Sequence, residues 1–270
     1  MTLPESSSHR LRRRPPLPLL VAAVFGVGVF LVPLVGLLSR TPWTRLGGLL
    51  ESAMAREAMM LSLLTSLAAT VISVILGVPL AWLLARVEFA GRSVIRGLVI
   101  LPMVLPPVVG GAALLFALGR RGLLGEPLYL ATGFSLPFSI WGVVAANTFV
   151  ALPFLVLTLD GALGGLDRRF EQAAASLGAG PFTVFRRVTM PLVRPSLLAG
   201  TVLAWARALG EFGATITFAG NLPGRTQTLP LAVFIALESD PDAAVALSLV
   251  LVAVSLVVII GLRGRWWRVT

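Results

Sequence analysis

The sequence predicts an all-α integral membrane protein, a polytopic helical bundle of about six transmembrane helices. Three observations carry this prediction. Only 13% of the 270 residues are charged and 57% are hydrophobic, whereas a soluble domain carries about 25% charged residues. The mean hydropathy is +0.93. The apolar residues also fall in long runs nearly free of charge, and a helix of about 20 such residues crosses the ~30 Å hydrocarbon core. A membrane β-barrel would instead alternate apolar and polar residues over segments of about ten.

The first run, Pro18–Leu38, follows Arg10, Arg12, Arg13 and Arg14. This imitates a signal peptide, but the run exceeds a signal h-region and no A-x-A cleavage site follows, so it reads as a retained signal-anchor helix. Pro15 and Pro16 argue against a twin-arginine signal. The second run, Met59–Ala85, carries Ala68, Ala69, Gly77 and Ala81, small enough to let neighbouring helices approach closely. The third, Gly97–Leu118, contains Pro102, Pro106, Pro107, Gly110 and Gly111, and the fourth, Leu136–Leu159, contains Pro153. Such residues mark either a kink or a break turned toward protein or a water-filled cavity. The fifth and sixth runs are Pro191–Ala219 and Ala243–Leu262. The expected organisation is therefore a tail, first helix and external loop over 1–56, the main transmembrane domain over 57–262, and a second tail over 263–270.

Every basic residue is Arg. The N-terminal tail, the Arg86–Arg96 loop, the long loop through Arg194 and the C-terminus hold most of them; Arg40, Arg45, Arg56, Arg120, Arg121 and Arg225 lie on the other side. The positive-inside rule then places both termini and the long loop in the cytoplasm. The last external loop is acidic, with Glu238, Asp240 and Asp242. Loop arginines account for the net charge of +10, so the expected surroundings are membrane lipid and not nucleic acid.

Chemistry is largely excluded. There is no Cys, and the single His, His9, sits in the Arg-rich tail. Disulfides, thiolate zinc sites and cysteine nucleophiles are ruled out, and no catalytic or metal-binding residue is expected. No phosphate loop of the form G-x-x-x-x-G-K-[ST] occurs, nor H-E-x-x-H or G-x-S-x-G. Glu211 is the one acid clearly inside a span, with no second carboxylate near it in sequence.

The connection from Asp160 to Met190 is the long one. Phe170 to Leu177 favours helix, with Ala at three consecutive positions. Gly178 and Gly180 end that helix, and Pro181 suits the first turn of the next. Two short helices joined by a glycine turn are expected. Phe170, Ala174 and Leu177 share one face, which needs the bilayer surface or a groove on a partner protein to cover it.

This loop resembles that of the inner-membrane subunits of binding-protein-dependent ABC importers, which reads E-A-A-x-x-x-G, nine residues, then I-x-L-P. Gly178 takes the glycine, Gln172, Ala173 and Ala174 take E-A-A, and Val188, Met190 and Pro191 fall on I-x-L-P. The departures are Gln for Glu, with Glu171 just before it, Val for Ile and Met for Leu. The resemblance implies a cytoplasmic coupling helix that docks into an ATPase, with Glu171, Gln172, Ala173, Ala174, Leu177, Gly178 and Pro191 as its coupling residues.

Arg207 and Glu211, four apart, are expected to share a helix face and pair. Charges inside a membrane face the bundle interior or a cavity. The pair either lines an anion path or its gate, or fixes packing. The stretch R-A-L-G-E-F-G-A-T-I-T-F-A-G-N-L-P-G-R-T-Q-T-L-P, Arg207–Pro230, is similar to the molybdate permease subunits, as are L-P-M-V-L-P-P-V-V-G from Leu101 and the Gly119–Gly122 turn. Sulfate permease subunits share the A-R-A-x-G-E-[FY]-G core. The molybdate resemblance covers about Glu57 to Leu262, leaving the first helix and tail as additions.

It implies the membrane subunit of a molybdate ABC importer in a bacterial inner membrane. Its partners would be a second copy of the chain, two cytoplasmic ATPase subunits that carry ATP and Mg, and an external molybdate-binding protein, with no cofactor on this chain. Asn147, Arg207, Glu211, Thr215 and Thr217 are the candidate path or gate residues. The alternatives are a sulfate or tungstate importer subunit, a secondary transporter, and a scaffold or intramembrane enzyme. A secondary transporter would need inverted repeats and midplane ion ligands, and no second copy of the Gly178–Pro191 pattern occurs.

Overall fold

The structure, a computed structural model, describes residues 16–266. The arginines before Pro15, His9 and the last four positions of the C-terminal tail lie outside the described residues.

The chain divides into two compact units, Met1–Thr41 and Pro42–Thr270. The first contains α1 (Leu17–Ser39), 23 residues with mean hydropathy 2.6. At 1.5 Å per residue it is about 35 Å long, enough to span. Pro18 sits in its first turn, where a missing N–H costs nothing. No α1 residue is buried, as befits a helix whose solvent is lipid.

The second unit comprises α2 (Leu46–Glu51), α3 (Ala53–Arg86), α4 (Arg92–Val104), α5 (Pro107–Leu118), α6 (Gly125–Thr132), α7 (Ile140–Gly165), α8 (Arg169–Ser176), α9 (Pro181–Val184), a π-turn at Phe185–Thr189, α10 (Met190–Leu209), α11 (Gly213–Phe218), α12 (Leu229–Ser239) and α13 (Pro241–Trp266). With α1, the helices α3 and α7, the continuous stretch Pro181–Leu209, and α13 are long and apolar enough to cross a membrane.

α7 is the central post. Ser139 starts it, accepting the Gly142 N–H at 3.1 Å. Halfway along, the fully buried Leu155 wedges between two glycines. A Cβ on Gly77 of α3 would lie 3.0 Å from Leu155 Cδ2, and one on Gly200 of α10 would lie 3.1 Å from its Cδ1. The three helices pack around Ala69, Ala81, Leu84, Leu159 and Ala204. The small residues read from the second run are thus packing positions: Ala69, Gly77 and Ala81 are buried and Ala68 half-buried.

α3 is built inside out. Its buried face holds Ser62, Thr65, Ser66, Thr70 and Ser73 beside alanines, and its exposed face holds Leu63, Leu64, Leu67, Val71, Ile75 and Leu76. Where the surrounding solvent is hydrocarbon, close packing and hydrogen bonds drive helix association and apolar bulk belongs outside. Ser62, Thr65 and Ser66 serve this purpose. Ser66 Oγ accepts the Trp205 indole N–H at 3.0 Å. Ser62 Oγ accepts the Leu229 N–H at 2.6 Å, satisfying a free donor in the first turn of α12.

Several expectations need correction. The third run is not one helix: α4 ends at Val104, and α5 starts at Pro107 after a break at Leu105–Pro106. Proline lacks the N–H that would continue the ladder and pushes the preceding residue out of the helical region. The halves part company: Arg96 of α4 pairs with Asp160 of α7, whereas α5 packs chiefly on α11, with Gly111 against Ala214 and Thr217, and touches α7 through Gly110 at Phe149. The fifth run also breaks, at Gly210–Phe212, before α11. The second short helix of the long loop is not separate, because α9 runs through the π-turn into α10. Pro191 explains the π-turn: its ring crowds the carbonyl four residues back, and the widened turn, with the Met190 N–H bonded to Phe185 O, relieves that clash. The last helix, α13, spans Pro241–Trp266.

Candidate functional site

The short helix α8 and the buried polar layer of the bundle are two places where polar side chains concentrate. α8 is short because glycine stops it. Gly178 has φ +85, a conformation that costs other residues a clash with Cβ. The Gly178 N–H bonds to Ala175 O at 2.9 Å and the Ala179 N–H to Ala174 O at 3.1 Å, which satisfies the last carbonyls of the helix.

The face of α8 toward its own chain is held by Glu171. One carboxylate oxygen accepts from Arg86 Nε at 3.2 Å and from Thr189 Oγ1 at 2.6 Å. The other lies 3.1 Å from Arg86 Nε. These side chains are mostly shielded, with 8% of Arg86 and 17% of Glu171 exposed. Trp82, one turn before Arg86, meets Phe185 edge-on, ring centroids 6.0 Å apart. A groove of about 490 Å³ runs beneath α8, lined by Trp82, Arg86, Arg168, Glu171, Gln172 and Phe185 among others.

Most of the rest of the loop is open. Gln172, Ala173 and Gly178 are exposed, and Ala174 is half-buried. Leu177 is 89% exposed, Phe182 72% and Phe170 55%. Pro191 is exposed in the first turn of α10. Of the expected coupling residues, Glu171 alone makes side-chain bonds to other described residues.

The second cluster lies in the bundle. Asn147 and Thr215 are 2% and 0% exposed. Asn147 Nδ2 donates to Thr65 Oγ1, and Thr215 Oγ1 donates to Asn147 Oδ1, both at 3.5 Å. This joins α3, α7 and α11 within the chain. Thr217 Oγ1 turns back to Gly213 O at 2.8 Å. Arg207 Nη2 lies 2.6 Å from Glu211 Oε2, with Arg207 29% exposed and Glu211 1%. The pair forms, though not on one continuous helix face: α10 ends at Leu209, and Glu211 lies in the break, where it also accepts the Ala214 N–H at 2.7 Å and so caps α11. Of the five candidate path residues, the structure brings Asn147 to Thr215 and Arg207 to Glu211, and leaves Thr217 bonded to backbone.

Sequence reasoning missed Arg86, Thr189 and the Arg96–Asp160 pair. Arg96 grips Asp160 at two points of 2.9 Å and also donates to Leu84 O at 3.2 Å, tying α4 to α7 and α3. The available signals were an Arg closing an apolar run and an Asp at the end of another. Among the described residues, no group of three or more His, Cys, Asp or Glu could hold a metal ion.

Helices long and apolar enough to cross a membrane, with polar groups turned inward and one short helix presented from a loop, define a polytopic membrane protein. Residues 73–265 match the binding-protein-dependent transport system inner membrane components, and the chain belongs to that family. It is 50% identical over 245 residues to the molybdenum transport system permease protein ModB of Mycobacterium tuberculosis strain ATCC 25618 / H37Rv, covering 90% of this chain and 92% of that one. It is 34% identical over 247 residues to the probable sulfate transport system permease protein cysT of Zygnema circumcarinatum, covering 90% and 85%. The fold matches a solved bacterial alginate ABC transporter in complex with an alginate pentasaccharide-bound periplasmic protein, with TM-score 0.73 over 93% of this chain and 95% of that one. At 18% identity that likeness speaks for the fold alone.

Proposed function

We propose that this chain is the membrane subunit of an ATP-driven molybdate importer. The carrying observation is the 50% identity over 245 residues to a molybdenum permease, against 34% to the sulfate permease over a similar span. On this reading two copies of the chain enclose the path, an external binding protein delivers molybdate, and two cytoplasmic ATPase subunits bind ATP and Mg. Both termini and α8 face the cytoplasm, as the arginine distribution supports.

ATP closes the ATPase pair, and α8 carries that motion through the docking face of Gln172, Ala173, Ala174, Leu177 and Gly178. The two copies then rock between outward- and inward-open states. Selectivity resides mainly in the binding protein, so the path needs polar groups without a deep well. Arg207 is the path residue of choice, because it combines positive charge with partial exposure. Glu211 neutralises it, so a divalent oxyanion meets no unshielded trap. Asn147 and Thr215 act from inside the wall by holding α3, α7 and α11 in register, and Thr217 braces α11.

The test is uptake of labelled molybdate into vesicles holding this chain, its ATPase and its binding protein, with sulfate and tungstate as competitors. ATP-dependent uptake that resists excess sulfate and disappears in Gly178→Asp is expected. Uptake abolished by sulfate would reassign the substrate, and uptake indifferent to ATP would reject the importer reading.

A further inference from the structure

We propose that Glu171, Arg86 and Thr189 form a mechanical joint that fastens the cytoplasmic helix to two membrane helices at once, and that this joint makes ATP hydrolysis productive. The inference deepens the importer reading and rests on it. α8 has eight residues, too few to hold its own shape and direction in water. Its orientation must come from attachments. Neither end continues as helix: Gly178 and Gly180 follow it, and Leu166 to Arg168 precede it outside any helix.

Among the described residues, the side-chain bonds that tie α8 to the membrane helices all converge on one carboxylate. Arg86 is the last residue of α3, and Thr189 is the last residue of the π-turn that leads into α10. Glu171 therefore grips the cytoplasmic ends of both helices, and α3 and α10 are packed together through α7. One turn deeper, Trp82 and Phe185 repeat the α3-to-π-turn contact with an aromatic edge. A displacement of α8 reaches both ends together, so the membrane helices move as a body and do not slide past each other.

The charge chemistry makes the joint depend on Glu171. Arg86 Nη2 is buried without a hydrogen-bond partner. Removing the carboxylate leaves the guanidinium largely shielded and uncompensated, the costly way to break an ion pair. Glu171 also stands in the first turn of α8, where a negative charge suits the helix dipole. Its role is positioning.

Proteoliposomes of the full chain with its ATPase and binding protein test this. The readout is molybdate transported per ATP hydrolysed, a ratio that the number of assembled complexes leaves unmoved. Glu171→Gln is expected to lower the ratio roughly tenfold, within the range of coupling between sites, with the ATPase subunits still co-purifying. Thr189→Val, which removes one neutral hydrogen bond and keeps the shape, should lower it about twofold to threefold. The reversed pair Arg86→Glu with Glu171→Arg should recover part of the Glu171→Gln loss. An unchanged ratio in both single variants overturns the joint. Loss of the ATPase subunits from Glu171→Gln also overturns it, by making the carboxylate a docking residue. Wild-type uptake that ignores ATP is a different failure and rejects the importer reading itself.

Discussion

Gly178 and Arg96 show how much single residues decide here. The +85 φ of Gly178 closes α8, and an L-residue held in that region costs about 1–2 kcal/mol. Asparagine tolerates it better than alanine or a β-branched residue. Molybdate uptake should therefore fall in the order Gly178, Gly178→Asn, Gly178→Ala, Gly178→Val; equal activity across the series would mean that the turn is not required. Arg96 holds Asp160 at two points. Arg96→Lys keeps the charge and loses the fork, so it should lower thermal stability in detergent by about 1–3 kcal/mol. A melting curve that matches wild type would show that the pair contributes little to stability.

At the scale of elements, the packing of α3, α7 and α10 predicts asymmetric costs. Leu155→Ala opens a cavity between Gly77 and Gly200 and should destabilise by about 2–5 kcal/mol. Gly200→Leu overfills the same place, where a Cβ already meets Leu155 and Thr158 at 3.1 Å, and should cost about 1–3 kcal/mol. Chemical unfolding in detergent would measure both. The spans, the glycine stop after α8 and the start at Pro181 were legible because each is written in a short local pattern. The breaks at Leu105–Pro106 and Gly210–Phe212 were not, since hydropathy reports transfer into lipid and is silent about backbone direction. α12 was also missed as a separate helix: eleven residues fall below a spanning length. Glu171 was read as a neighbour of the docking motif, because its partner Arg86 lies 85 residues away and no local rule joins them.

The described residues fall into two units, and the first contains α1 alone. A chain starting at Pro42 should keep ATP-driven uptake within about twofold of the full chain, less than 1 kcal/mol on the scale where tenfold is 1.4. Loss of uptake with normal insertion would give α1 a part in transport. Because the sequence contains no cysteine, orientation can be read with single introduced thiols. Ser176→Cys in α8 should react with an impermeant maleimide only from the cytoplasmic side, and Ser239→Cys only from outside; the reverse pattern would invert the topology.

The inverted build of α3 has a consequence for how this chain can vary. In a water-soluble protein the interior holds large apolar residues and the surface drifts freely among polar ones. Here Leu63, Leu67, Val71 and Ile75 are exposed on a helix long and apolar enough to span a membrane, and against fluid hydrocarbon any bulky hydrocarbon side chain serves. Ser62, Thr65, Ser66, Ala69 and Gly77 face solid neighbours and allow almost no exchange. A complete substitution scan of this helix would read as the photographic negative of a soluble one, with tolerance for greasy bulk outside and strict selection for smallness within.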